Sequence, residues 1–378
     1  MYATRLITLS TISFVVLGSM SPGQSNVLGM NGYNRLGSEF WASAGAGIAE
    51  KGIPGGAFQN PALISWPSPV VTLEAGWRPE APLFQDSFDK LLLLPSYFSL
   101  GIPIRPLSLE FGYSIPYADR FDGGGSYVPY PEDPNNPVRY IPWNGKTVIQ
   151  AVFASASYVL SENSSVGATA GLDFIHWNSN NTFILDGTGT SAQFIVGANT
   201  AVSRCASIGI AAHVSTKGHL HCTIRSAYTC QLLDSAGRAF FGDAWYGTIS
   251  PPGATLGASL GVLPWLTLLG SIEYENWNTV GNLLIDRFQY HLGAVVSTGS
   301  DLAIRAGWFT LITPYSGYYY DNQYFLTGGI AWKPFEDLKL VVNYQTSKLL
   351  AITVHYIDGT SSDSFNQQAL SGGVSFSW

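Results

Sequence analysis

The sequence predicts an all-β protein, a transmembrane antiparallel β-barrel of about 14 strands with an N-terminal plug. Three observations carry that expectation. Charged residues make up 11% of the 378 residues, against roughly 25% in a soluble domain, so the chain lacks the charge to wet a soluble surface. No mature stretch has the roughly 18 consecutive apolar residues of a spanning helix. The richest, residues 91–104, is broken by Pro95, Ser96, Ser99, Gly101 and Pro103, and mean hydropathy is +0.14. Segments of about ten residues instead alternate apolar and small polar residues. Lipid admits only helices and closed barrels, because every backbone polar group must be satisfied internally.

The chain begins as an export signal would. Arg5 supplies a positive charge, residues 6–20 form an apolar stretch, and residues 21–25 are small and polar. Residues 1–25 are therefore expected to be a signal peptide. Residues 26–66 follow, rich in Gly, Ala, Ser and Asn with no spanning pattern. Phe40, Trp41 and Phe58 suit a disordered leader poorly, and small residues permit close backbone packing. The favoured reading is a plug folded into the barrel; a periplasmic leader is the alternative. Residues 67–378 are the expected barrel.

The last strand shows the alternation best. Leu370, Gly372, Val374, Phe376 and Trp378 share one face, and Ala369, Ser371, Gly373, Ser375 and Ser377 the other. The first face is expected to meet lipid. Leu338, Leu340, Val342 and Tyr344 alternate likewise with Lys339, Val341, Asn343 and Gln345. Leu268 and Ile272 alternate with Ser271, Glu273 and Glu275, and Ile304 and Trp308 with Arg305 and Phe309. Strands are expected at 69–77, 91–104, 107–117, 146–160, 164–177, 190–203, 206–217, 252–262, 265–277, 287–297, 301–310, 323–333, 337–348 and 366–378. Short turns and longer loops alternate between them. The long loops are 78–90, 118–145, 178–189, 218–251, 278–286, 311–322 and 349–365. Short turns face the periplasm, which places Trp378 at the periplasmic rim. Trp77, Trp177, Trp277, Trp308 and Tyr344 fall near strand ends, where an aromatic girdle belongs.

A net charge of −7 offers no basic surface to nucleic acid. Cys222 and Cys230 could pair within a loop or remain free thiols, with Cys205 apart from them. His219-x-His221 with Cys222 and Cys230 faintly resembles a ligand set, but chance in a loop is the preferred reading, so no metal or cofactor is expected. His176, His213 and His291 sit on separate strands without a nucleophile motif, and no catalytic site is expected. Gly123-Gly124-Gly125 lacks the strand–helix setting of a phosphate loop.

Four places resemble the FadL-type outer-membrane transporters of long-chain fatty acids and other hydrophobic compounds, including the TodX-like channels. They are the small-residue stretch ending in Asn60, Pro61, Ala62, Leu63 and Ile64; Ser250-Pro251-Pro252 with Gly257 and Glu273 to Trp277; Ile304 to Trp308 followed by Thr313-Pro314; and the C-terminal hairpin. The resemblance implies a 14-stranded barrel closed by an N-terminal hatch that carries residues 60–64. It implies passive uptake, in which substrate enters a pocket above the hatch and leaves sideways through the wall. Implied partners are a hydrophobic ligand such as a fatty acid, outer-membrane lipid and lipopolysaccharide, and the barrel-assembly machinery through the C-terminal strand. Two departures stand out: the short loop at 178–189 beside the long one at 218–251, and Trp378 where the family more often has Phe.

Arg305 and Lys339, on inward-facing positions, are candidates to bind a substrate carboxylate. The alternative pairs them with Glu273 and Glu275. Phe40, Trp41 and Phe58 are candidate apolar contacts. A structural or secretion-associated barrel that holds a protein partner is the rival function. A lipid-acting barrel enzyme and an open polar porin are weaker ones.

Overall fold

The computed structural model describes residues 37–78, 91–129, 138–180, 183–226, 242–248, 251–279, 285–299, 301–312, 323–350, 353–355, 361–363 and 368–378. The expected signal peptide, Cys230 and the Thr313-Pro314 pair lie outside them.

In chain order the strands are β1 (Val70–Arg78), β2 (Leu91–Ile104), β3 (Leu107–Pro129), β4 (Val138–Ser161), β5 (Ser164–Asn180), β6 (Phe183–Ala201), β7 (Ala206–Ser215), β8 (Lys217–Ser226) and β9 (Gly242–Thr248). They continue as β10 (Gly253–Leu263), β11 (Leu266–Glu275), β12 (Arg287–Ser297), β13 (Leu302–Leu311), β14 (Gln323–Phe335), β15 (Leu338–Thr346), β16 (Thr353–His355), β17 (Ser361–Asp363) and β18 (Gln368–Ser377). Sixteen of them share one sheet. Fourteen close a barrel of antiparallel neighbours, in which β1 pairs with β18 and the ring runs through β6–β7 and β7–β10. All fourteen expected strands are present.

The wall obeys the period of two. Outward positions such as Phe194, Val196, Ile210, Leu256, Leu292, Ile330 and Val342 are exposed. Inward positions such as Ser165, Thr169, Asn199, Ser271, Asn343 and Ser375 are buried. A soluble protein would reverse this, so the apolar exterior identifies a surface whose solvent is lipid. The chain is an outer-membrane β-barrel. Trp265, Trp332, Phe335, Phe376 and Trp378 are exposed at the short-turn end and form the interfacial aromatic girdle there. Ser377 donates its backbone N–H to Asp337 and Trp378 donates to Pro69, so the final strand is held from both sides.

Two expectations need correction. Much of the segments at 118–145, 178–189 and 218–251 is paired strand, and part of 349–365 forms the β16–β17 hairpin. Apolar alternation is imposed by lipid, and above the membrane the ladder continues without it. Trp277 is not in an outward girdle. It is buried in a short 3-10 turn, donates through Nε1 to Glu275 at 3.1 Å and lies under the Arg287 guanidinium. Among the other aromatics expected there, Trp77 and Tyr344 are exposed, and Trp177 falls outside the described side chains.

Candidate functional site

Residues 37–66 turn back into the barrel. A five-residue helix α1 (Ser38–Ala42) and two 3-10 turns, Gly56–Phe58 and Pro61–Leu63, are joined by tight backbone turns. Most residues from Gly37 to Ile64 are buried, with Glu50 to Gly52, Phe58 and Gln59 the exceptions.

An irregular segment leaves carbonyls without ladder partners, and a buried one must find donors elsewhere. The inner wall supplies them. Thr169 donates to the Ala57 carbonyl at 2.9 Å, Ser165 to Ala62 at 2.8 Å and Ser207 to Ala49 at 2.9 Å. On the opposite side Thr327 donates to Ala42 at 3.0 Å, and His291 Nδ1 lies 2.8 Å from the Ala44 carbonyl. Where backbone approaches too closely for a side chain, the wall carries glycine. A Cβ at Gly197 would collide with Asn60 Oδ1, and one at Gly209 with the Ile48 carbonyl. Gly293, Gly307 and Gly329 likewise leave no room for a Cβ against residues 42–44. The Ser, Thr and Gly content of the polar face is therefore complementary to residues 37–66.

Asn60 ties the turn together. Its Nδ2 donates to Ile48 and Ala198 at 3.0 and 3.1 Å, and its Oδ1 accepts from the Ala62 N–H at 3.1 Å. It caps the Pro61–Leu63 turn and links it to β6 at once. Asn60→Ala removes all three bonds and leaves the Ile48 carbonyl and the Ala62 N–H buried without these partners. We expect a loss of about 3 kcal/mol in seating free energy. Faster protease cleavage within residues 37–66 of the folded barrel checks it; an unchanged rate refutes the clamp.

Charge organises the α1 side. Arg305 forms a two-pronged pair with Glu50, at 2.9 and 2.7 Å, and a third bond to Glu39 at 3.0 Å. Lys339 pairs with the other oxygen of Glu39. Two cations and two carboxylates thus make a neutral network between β13, β15 and the segment. Glu74 of β1 accepts from the N–H groups of Gly37 and Ser38 and from the Ser38 hydroxyl, satisfying the start of α1. Arg305 and Lys339 are therefore engaged by Glu39 and Glu50, not by Glu273 and Glu275. Glu275 pairs with Arg287, and Glu273 faces His291 at 3.6 Å. Glu39 and Glu50 are the two acids of residues 26–66, where Arg35 and Lys51 are the cations, and that sparse charge was the legible signal.

The candidate aromatics divide into two groups. Phe40 and Trp41 pack with Ile53, Phe309, Leu311 and Phe325; the Phe309 and Phe325 rings stack at 4.6 Å. Phe58 meets Phe153 at 4.6 Å and Tyr97 at 6.4 Å. Tyr97 donates to the buried Glu110. This second group sits beside a break in the wall. The β2–β3 ladder runs from Ile104↔Leu107 to Tyr97↔Ser114 and stops. Above it, residues 91–93 pair with β1, and residues 117–122 and 125–129 pair with β4. Register irregularities at Glu74/Gly76 and Ser114/Tyr117 flank the parting.

Solved structures are similar to this barrel over most of its length. A FadL homologue from Pseudomonas aeruginosa aligns over 92% of this chain and 99% of its own, with TM-score 0.63 and 15% identity. The barrel has the FadL-type fold. The toluene transporter TodX from Pseudomonas putida aligns over 92% of this chain and 99% of its own, at TM-score 0.63 and 12% identity. The monoaromatic hydrocarbon channel CymD gives 0.64 at 14% identity, over 91% of this chain and 97% of its own. No protein-family model matches the sequence, and no curated protein matches it. Within the FadL-type fold, Asn60 to Ile64 occupy the seated turn, and Cys205 is a free, exposed thiol.

Proposed function

We infer that the protein is an outer-membrane channel for passive uptake of hydrophobic small molecules, such as long-chain fatty acids or aromatic hydrocarbons. The parting of β2 from β3 beside an aromatic cluster carries this reading. A greasy solute that crossed the lumen would otherwise have to enter water, whereas a lateral opening delivers it to lipid. Residues 37–66 serve as a hatch, with the wall hydroxyls, Asn60 and the Glu39–Arg305–Glu50–Lys339 network as its fastenings. Phe40, Trp41 and Phe58 are apolar contacts along the route. A fatty-acid carboxylate that reached Arg305 or Lys339 would have to displace a hatch glutamate, so these cations join substrate recognition to hatch release.

Purified protein should bind a radiolabelled long-chain fatty acid or a monoaromatic hydrocarbon, and deletion of residues 26–66 should change its uptake by cells. Absence of binding to both ligand classes overturns the channel reading, and unchanged uptake overturns the hatch. Ser114 is buried at the last rung of the β2–β3 ladder. Ser114→Trp fills the route and should lower hydrocarbon uptake by roughly tenfold or more, because a close-packed passage has no room for an indole. Normal uptake by a correctly folded S114W barrel would place the exit elsewhere.

A further inference from the structure

Charge is unevenly placed inside the barrel. The inward arginines and lysines among the described residues, Arg287, Arg305 and Lys339, stand on β12, β13 and β15, and each is paired with a carboxylate. The wall where β2 parts from β3 carries acids instead. Glu74 lies opposite Tyr97 in the β1–β2 ladder, and Tyr97 lies opposite Ser114 at the last rung of the β2–β3 ladder. The Tyr97 hydroxyl donates to Glu110, two inward positions below Ser114 on β3. Both glutamates are buried, and neither forms an ion pair with a described residue. Glu74 is taken up by the Gly37 and Ser38 N–H groups at the start of α1. Glu110 is thus a buried carboxylate, held by neutral donors, at the threshold of the opening. Beside it the Tyr97 ring stacks on Phe153 at 5.8 Å, and Phe58 meets Phe153 edge-on at 4.6 Å.

We propose that Glu110 is a specificity-determining residue of the lateral exit, admitting uncharged hydrophobic solutes and holding back carboxylate anions. The inference rests on the channel reading and narrows its substrate class. An uncharged ring or alkyl chain meets Phe58, Tyr97 and Phe153 and leaves no polar group unpaired. An anion has to shed its water, and in a low-dielectric passage only a counter-charge or several donors offset that loss. The exit supplies neither. Ser114 offers a single hydroxyl, the Tyr97 hydroxyl is engaged, and Glu110 repels a second carboxylate at close range. Like charges brought together in a desolvated contact are a general device for rejecting the wrong partner. The cations cannot make the selection at this point, because they stand on β12, β13 and β15 and hold other carboxylates. A fatty acid held as an anion at Arg305 or Lys339 therefore leaves as its uncharged acid, whereas a hydrocarbon or an alcohol needs no change of state.

The test compares two solutes of one chain length, dodecanol and dodecanoate, in uptake by cells carrying the full-length protein, with cells lacking it as the blank. Glu110→Gln keeps the side-chain volume, and its amide oxygen still accepts from Tyr97, so fold and opening are retained; heat-modifiable migration in SDS gels checks this. The native chain should take up dodecanol faster than dodecanoate. E110Q should raise dodecanoate uptake at least about fivefold and leave dodecanol uptake within about twofold of native, since only the like-charge repulsion is removed. E110D should keep the native preference. An E110Q chain with the native preference overturns the filter, as does a native chain that takes up both solutes at one rate. If neither solute enters above the blank, the channel reading itself falls and the filter with it. Dodecanol uptake that is lost in S114W, with a preference unchanged in E110Q, faults the filter alone.

Discussion

A chain carrying Gly197→Val and Gly209→Val together should form the barrel but expel residues 37–66 from it. The two glycines stand on adjacent strands, opposite Asn60 Oδ1 and the Ile48 carbonyl. A side chain at either position collides with groups that cannot yield, because Asn60 is bonded to Ile48, Ala198 and Ala62. Overpacking costs about 1–3 kcal/mol per site, and the clamp bonds of Asn60 are lost in addition. The ladder bonds of the wall are untouched, so the damage falls on the seat. Single channels in planar bilayers should pass from closed to steadily conducting, with mean current raised at least about tenfold, as several kcal/mol of lost docking implies. Gly270→Val is the control: the outward Gly270 has its nearest neighbour, Leu292, at 3.7 Å. A double variant that conducts no more than the native protein would show that residues 37–66 do not close the lumen.

Arg305→Met should release the same segment from its other side. Arg305 is 4% exposed and holds both Glu39 and Glu50. Its removal leaves two carboxylates, one of them 4% exposed, to share Lys339. Breaking a buried pair from one side costs about 3–5 kcal/mol. That energy is recovered by moving the glutamates into water, so the expected outcome is a freed segment within an intact barrel. Protease should cut residues 37–66 quickly in R305M, while the barrel remains resistant. The triple variant E39Q/E50Q/R305M removes the stranded charge and should recover much of the native protection. If R305M and the triple variant are equally exposed, the network positions the segment through packing and not charge. Fatty-acid affinity measured on the triple variant also separates the substrate contact proposed for Arg305 from its hold on the segment, since the segment is then seated without the cation.

The strand order was legible because lipid writes it into the chain. Outside the wall, Leu370, Val374 and Phe376 must be apolar; between them, Ser371 and Ser375 need only be small. Inward hydrophobes such as Ile195, Val295 and Phe309 interrupt the polar face locally, but the outward face stays apolar throughout, so all fourteen barrel strands appear in sequence. Above the membrane the constraint ends, which is why the ladder from Ala118 to Pro129 and the register of β8 against β9 could not be read. The segment at 26–66 announced itself by its small residues, by aromatics such as Phe40, Trp41 and Phe58, and by Asn60-Pro61. Its partners did not. Glu39 and Arg305 are 266 residues apart, and Asn60 and Ala198 are 138 apart, and no local pattern couples positions at such distance. The sequence by itself determined a barrel and its lipid face, and for residues 26–66 it favoured a folded plug over a disordered leader. Tertiary structure alone decided that Arg305 and Lys339 hold that segment's own carboxylates, that wall glycines stand where its backbone presses, and that β2 and β3 part beside Tyr97. Those are contacts between distant strands, set by how the ring closes around what fills it.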